Sequence, residues 1–248
     1  MRKHLPLMLS GIALAAPLAA GPMYTVIDLG SLGGGSAAFA LNSSGVAAGR
    51  SLTPQNDVRG VQLGAGAVPA DLWRGQANGI NDAGTVAGTA YLDGRTQAVI
   101  WNGGAVTQLG TLGGATSEAL AVNAGGTVVG LAATSSGQGR AFRWSQGNMS
   151  DLGTLPGGVW SAAYAINDAG WITGFVSPVN YNFDGRAFIW DGTQLTVLPP
   201  APGAYTSFGR AINGLGQVAG WGNADCDPPQ KSCLIRRGFF WNGSEMIA

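Results

Sequence analysis

The sequence predicts an all-β repeat domain, and three observations in its 248 residues carry the prediction. The pattern small-aliphatic-Asn-x-x-Gly-x-x-x-Gly occurs five times with its fixed positions unbroken, around Asn42, Asn81, Asn123, Asn167 and Asn213. These asparagines stand 39, 42, 44 and 46 residues apart, the size of one propeller blade. Forty-two glycines accompany 46% apolar residues and eight tryptophans, a composition too apolar for disorder and rich enough in turns for many short strands. The architecture expected is a five-bladed β-propeller of four-stranded blades. A β-prism or an open stack of hairpins satisfies the same period.

Along the chain, a basic start at Met1-Arg2-Lys3-His4, an apolar run from Leu5 to Leu14 and small residues from Ala15 to Ala20 predict a signal peptide over 1–20. The run is too short, and too interrupted by Pro6 and Pro17, for a membrane anchor. A single β-repeat domain over 21–248 is expected to be exported to the cell envelope or beyond, with no membrane insertion after cleavage. Losing Arg2 and Lys3 leaves 11 basic against 13 acidic residues, a formal charge of −2 that does not favour nucleic acid. Cys226 and Cys233, flanking a short Pro-containing loop in an exported chain, are expected to form a disulfide worth roughly 2.5 kcal/mol in the chain-entropy model.

The third unit shows the parts of one repeat. Glu118 to Asn123 reads as a strand, Ala124-Gly125-Gly126 as a turn, and Thr127 to Leu131 as the returning strand. Arg140 to Trp144 and Asn148 to Gly153 form the second hairpin. A glycine three residues after each asparagine suits a turn position of positive φ, and the asparagine side chain suits bonding to its own turn, so all five are assigned to structure. The residue two before each asparagine stays small (Ala40, Gly79, Ala121, Ala165 and Ala211), as an innermost strand crowded by its neighbours requires. Trp101, Trp144, Trp190 and Trp241 recur at one position of the third strand and are expected to pack between successive units. The fourth strand carries Asp28-Leu29-Gly30, Gln108-Leu109-Gly110 and Asp151-Leu152-Gly153, each leading into a glycine-rich loop, and shortens to Asp71-Leu72-Trp73 in the second instance.

The Asp-Leu-Gly-Thr-Leu-Gly-Gly, Ala-Ile-Asn-Asp-Ala-Gly and Ala-Phe-x-Trp segments together resemble the HAF-repeat family of exported bacterial repeat proteins, over essentially the whole chain after the leader. The family's histidine is replaced here by Arg140, Arg186 and Arg237 or by Gln97. The resemblance implies secretion and a β-repeat fold and supplies no activity. Because the domain opens on a fourth-type strand, Tyr24 to Gly30, that strand is expected to complete the last unit and close the ring.

After the leader the chain has no histidine, one lysine (Lys231) and two glutamates (Glu118 and Glu245), which excludes Ser-His-Asp, Cys-His and histidine-metal chemistry. No catalytic residue, metal ligand or cofactor is expected. Paired aspartates of a carbohydrate-active hydrolase are the enzymatic alternative. Yet Asp82 and Asp168 fall in the Asn turns, and Asp28, Asp71 and Asp151 recur at a strand end. Aromatic residues crowd the fourth and fifth units, and Trp160, Tyr181, Phe183 and Tyr205 are expected in loops, where they are candidates for stacking on a sugar or anchoring a protein. The function expected is a secreted, non-enzymatic binding module for an unknown glycan or protein. A structural envelope protein is the further alternative.

Overall fold

The two glycines of each repeated turn are required by different physics. The computed structural model describes residues 25–178, 185–225 and 234–247. In every copy the backbone N–H of the first glycine donates to the asparagine carbonyl at 3.0–3.1 Å, closing a four-residue turn. That glycine has positive φ each time: 80° at Gly45, 81° at Gly84, 75° at Gly126, 87° at Gly170 and 76° at Gly216. The asparagine Oδ1 accepts the N–H of the residue four further on, for example Thr127 N–H onto Asn123 at 2.9 Å. The second glycine answers a steric demand instead. A Cβ at Gly49, Gly88, Gly130, Gly174 or Gly220 would collide with the carbonyl of Ala37, Gln76, Glu118, Ala162 or Phe208 on the facing strand.

That carbonyl is thrust forward by a β-bulge present in all five copies. The register of the strand before each asparagine slips between Ala38 and Ala40, Ala77 and Gly79, Ala119 and Ala121, Ala163 and Ala165, and Gly209 and Ala211. One residue is therefore unpaired in each: Phe39, Asn78, Leu120, Tyr164 and Arg210.

Nineteen strands and no helix are found among the described residues. They are β1 (Ser36–Leu41), β2 (Ala47–Leu52), β3 (Val58–Leu63), β4 (Ala70–Ile80), β5 (Val86–Leu92), β6 (Arg95–Asn102) and β7 (Ala105–Gly110), which form one seven-stranded sheet in that order. A second sheet holds β8 (Gly113–Val122), β9 (Val128–Thr134), β10 (Gly139–Ser145) and β11 (Asn148–Asp151). A third holds β12 (Trp160–Ile166), β13 (Ile172–Ser177), β14 (Arg186–Trp190) and β15 (Leu195–Val197). The fourth holds β16 (Phe208–Ile212), β17 (Val218–Asp225), β18 (Leu234–Trp241) and β19 (Met246–Ile247). Every ladder between named strands is antiparallel.

The seven-stranded sheet is two four-stranded meanders sharing β4. Residues 70–74 of β4 pair with β3 and residues 75–80 with β5. Gly75, at φ 140°, marks the change of partner. Here the Asp-Leu-Gly loop is absent because Trp73 takes its place. The indole is 6% exposed, lies against Gly60 and Gly88, and donates its Nε1–H to the Thr89 carbonyl at 3.0 Å.

Successive meanders bury their apolar faces against one another. Ala87, Ala98 and Leu109 pack on Ala119, Val128 and Phe142, and the same arrangement recurs with Val129, Ala141 and Leu152 against Ala163, Ile172 and Phe188. Burying a side chain such as Phe142, with no exposed surface, contributes about 1.5–3 kcal/mol. The four repeated tryptophans lie half-buried at the edges of these cores, with Trp101, Trp144, Trp190 and Trp241 each against a different one. Polar links run alongside. Asn42, Asn81, Asn123 and Asn167 each donate Nδ2–H to the carbonyl of the next asparagine in the series, at 3.3, 3.0, 3.1 and 2.8 Å. Buried serines make a second series. Ser117 Oγ accepts Ala98 N–H and donates to Gly110, and Ser161 Oγ accepts Ala141 N–H and donates to Gly153.

The N-terminal segment does not complete the last sheet. Residues 25–30 form no strand, and β19 pairs only with β18. Leu29 and Leu32 instead cover Ala47, Val61 and Leu63 of the first meander, where they gain burial that the two-residue β19 does not offer. No ladder joins the first sheet to the last among the described residues. The asparagine series ends accordingly, with Asn213 Nδ2 bonded to its own Gln217 side chain at 2.7 Å.

Candidate functional site

The five unpaired bulge residues converge on one cavity. Phe39, Asn78, Leu120, Tyr164 and Arg210, with Gln76, line an open pocket of about 400 Å³. A bulge frees a side chain from the in-and-out alternation of its strand and re-aims it, which is how five strands come to present the same repeat position to one space. The positions on either side are nearly uniform in all five copies: Ala or Gly four and two residues before the asparagine, an aliphatic residue one before. The bulge position alone carries five different chemistries.

The walls are fixed by contacts behind them. Gln76 Nε2–H donates to Asn78 Oδ1 at 2.7 Å, and Asn78 Nδ2–H donates to the Ala119 carbonyl at 2.7 Å. The Arg210 guanidinium lies over the Tyr164 ring, 4.2 Å from its centroid. Tyr164 stacks on Phe175 at 5.7 Å, Phe175 meets Phe208 edge-on at 5.2 Å, and Phe208 meets Trp221 at 4.4 Å. Burial pushes the Tyr164 phenol up from its ordinary pKa, against the opposing charge and hydrogen bond of Arg210. Burial likewise pushes the Glu118 carboxyl up.

Trp160 is not in a loop. It opens β12, paired with Ser177, and its half-buried ring lies over Gly139 within the cluster of Ala162, Phe175 and Phe208. A residue at Gly139 with a Cβ would displace it, so the ring is placed by packing. Tyr205 is 39% exposed in the segment before β16, and its carbonyl accepts from the Arg186 guanidinium. Tyr181, Phe183, Cys226 and Cys233 lie outside the described residues. The recurrent third-strand side chains reach the start of the next unit: Gln97 to the Ala115 carbonyl in β8, Arg140 to the Gly158 carbonyl before β12, Arg186 to the Tyr205 carbonyl before β16. Arg59 pairs with Asp71 at 2.9 Å.

The aspartates are engaged in local structure. Asp82 and Asp168 accept the Ser43 and Ala124 N–H groups of the preceding unit, each at 2.8 Å. Asp28 and Asp151 accept the N–H of Gly30 and Gly153, both at positive φ. A second cleft of about 350 Å³ lies among Arg143, Ser150, Ala169, Gly170, Trp190 and Gly192. Among the described residues no carboxylate lines either space. Among the described residues no three His, Cys, Asp or Glu side chains gather as metal ligands, and no helix is long and apolar enough to cross a membrane.

The fold and the cavity define a β-propeller-like repeat protein. Its architecture is similar to that of TolB from Acinetobacter baumannii, with a TM-score of 0.54 and 14% identity over 86% of this chain and 56% of that one. The chain thus spans a little over half the length of that structure, and a likeness at this identity carries the fold alone. No family model and no curated relative matches the sequence.

Proposed function

We propose that the protein is an exported, non-enzymatic β-propeller of five blades, a member of the HAF-repeat proteins, that binds a glycan in the cavity between its five bulges. The leader over residues 1–20 supports export, and in that compartment Cys226 and Cys233 are assigned as a disulfide. The five repeats and the bordering of one space by all five bulge residues support the blade count. The observation that carries the binding reading is the diversity of those five residues. A repeat that keeps every flanking position for packing and varies the one that faces a cavity has specialised it for a ligand. Aromatic, amide and guanidinium groups around a space of this size are the usual furniture of a small-ligand pocket. No carboxylate among the described lining residues supports a paired-aspartate hydrolase there.

The test is the melting temperature of the protein against a panel of soluble glycans, repeated with Phe39→Ala and Arg210→Gln. Ligand at 100 times its Kd stabilises the native state by about 2.7 kcal/mol. That corresponds to a rise of roughly 5–10 °C for a domain of this length. The rise should be lost in both variants. A flat response to every glycan, or a rise that both variants retain, would overturn the proposal.

A further inference from the structure

We infer that the glycan bound in this cavity is an acidic sugar whose carboxylate is held by Arg210; the inference rests on the cavity being the glycan site. Arg210 is the only charged side chain among the described lining residues. The ion pairs among the described residues engage other arginines, namely Arg59 with Asp71, Arg74 with Asp57 and Arg140 with Asp151. Packing over the Tyr164 ring at 4.2 Å restricts the guanidinium, so its planar fork is held before a ligand arrives. A fork of this kind takes a carboxylate through two parallel hydrogen bonds. Arg50, whose guanidinium lies 5.9 Å from the Phe39 centroid, adds positive charge beside that lining ring.

The remaining lining supplies what a sugar ring needs. The Gln76 amide is oriented by its bond to Asn78, and Asn78 in turn by the Ala119 carbonyl. That relay occupies Gln76 Nε2 and leaves its carbonyl oxygen as an acceptor for a hydroxyl. Phe39, 48% exposed, offers an apolar face to the C–H side of a pyranose. Burial pushes the carboxyl of Glu118, which is electrostatically coupled to Tyr164, above its ordinary pKa.

The experiment is calorimetric titration of the protein with digalacturonate and with its neutral dimethyl ester, at low salt. Loss of a charge-assisted hydrogen-bond pair predicts that the acid binds about 10- to 100-fold more tightly than the ester. Arg210→Gln should weaken binding and erase that preference, so that acid and ester bind alike. Arg210→Lys, which keeps the charge and loses the fork, should retain only part of it and serves if the glutamine variant does not fold. Equal binding of acid and ester, or an acid preference that survives Arg210→Gln, overturns the inference. If equal binding is lost in Phe39→Ala, the cavity remains the glycan site and only the acidic class is wrong. If neither these probes nor any neutral glycan binds, both readings fall.

Discussion

Asn123→Ala should cost markedly more stability than Asn213→Ala, although the two asparagines occupy the same position of the same turn. At Asn123 the side chain is 7% exposed and makes two bonds, accepting Thr127 N–H at 2.9 Å and donating to the Asn167 carbonyl at 3.1 Å. At the exposed Asn213 the Oδ1 accepts Gln217 N–H and Leu215 N–H, each at 3.0 Å, while the Nδ2 reaches only the Gln217 side chain of its own turn. The turn bond is common to both, at a net value of about 1 kcal/mol. The difference is the link between units together with the cost of leaving buried groups unpaired, about 1–3 kcal/mol. Urea unfolding of both variants at neutral pH measures it, with unchanged m-values as the control that the midpoint shift reports stability. Equal losses at the two sites would refute the reasoning, because they would mean either that the asparagine series contributes nothing or that Asn213 is bonded across a closed ring.

Three further outcomes follow from the same geometry. Gly130→Ala, which drives a Cβ into the Glu118 carbonyl and the Phe142 ring, should destabilise by more than Gly126→Ala, whose open but positive-φ site costs about 1–2 kcal/mol; thermal melts of both rank them. Ser161→Ala should cost about 2–4 kcal/mol in urea titration, because it strips partners from the Ala141 N–H and the Gly153 carbonyl at a fully buried site. Glu118→Gln should raise the melting temperature at pH 7 and leave it unchanged near pH 4. A carboxyl whose folded pKa lies above its ordinary 4.5 weakens the fold as pH rises through that interval and ceases to do so once protonated in both states.

Much of the fold was legible because each turn demands particular residues. Asparagine followed by a positive-φ glycine, or Asp-Leu-Gly with its carboxylate on the glycine N–H, declares itself in sequence. The bulge did not, since a register slip has no residue of its own. Its trace was indirect: the second glycine, whose missing Cβ makes room for a displaced carbonyl. The cavity was hidden for the same reason, and Phe39, Asn78, Leu120, Tyr164 and Arg210 looked like noise inside an otherwise regular repeat. Variation at one position flanked by uniform ones was the available signal. The serine series was readable as Ser36, Ser117, Ser161 and Ser207, each six residues before an asparagine, with Gly75 at the equivalent point of the remaining copy. Trp160 misled because a strand that begins directly after a glycine-rich loop looks like part of the loop.

The sharing of β4 divides the junctions between repeats into two kinds. Where a loop separates one unit from the next, as between β11 and β12 or β15 and β16, a unit can be inserted, deleted or duplicated without cutting a hydrogen-bonded strand. Between the first and second units no such seam exists, because the chain crosses at Gly75 without leaving the ladder. The repeat array can therefore grow or shrink by whole modules at its later junctions, while its first two units must be inherited, cut and transplanted as a pair.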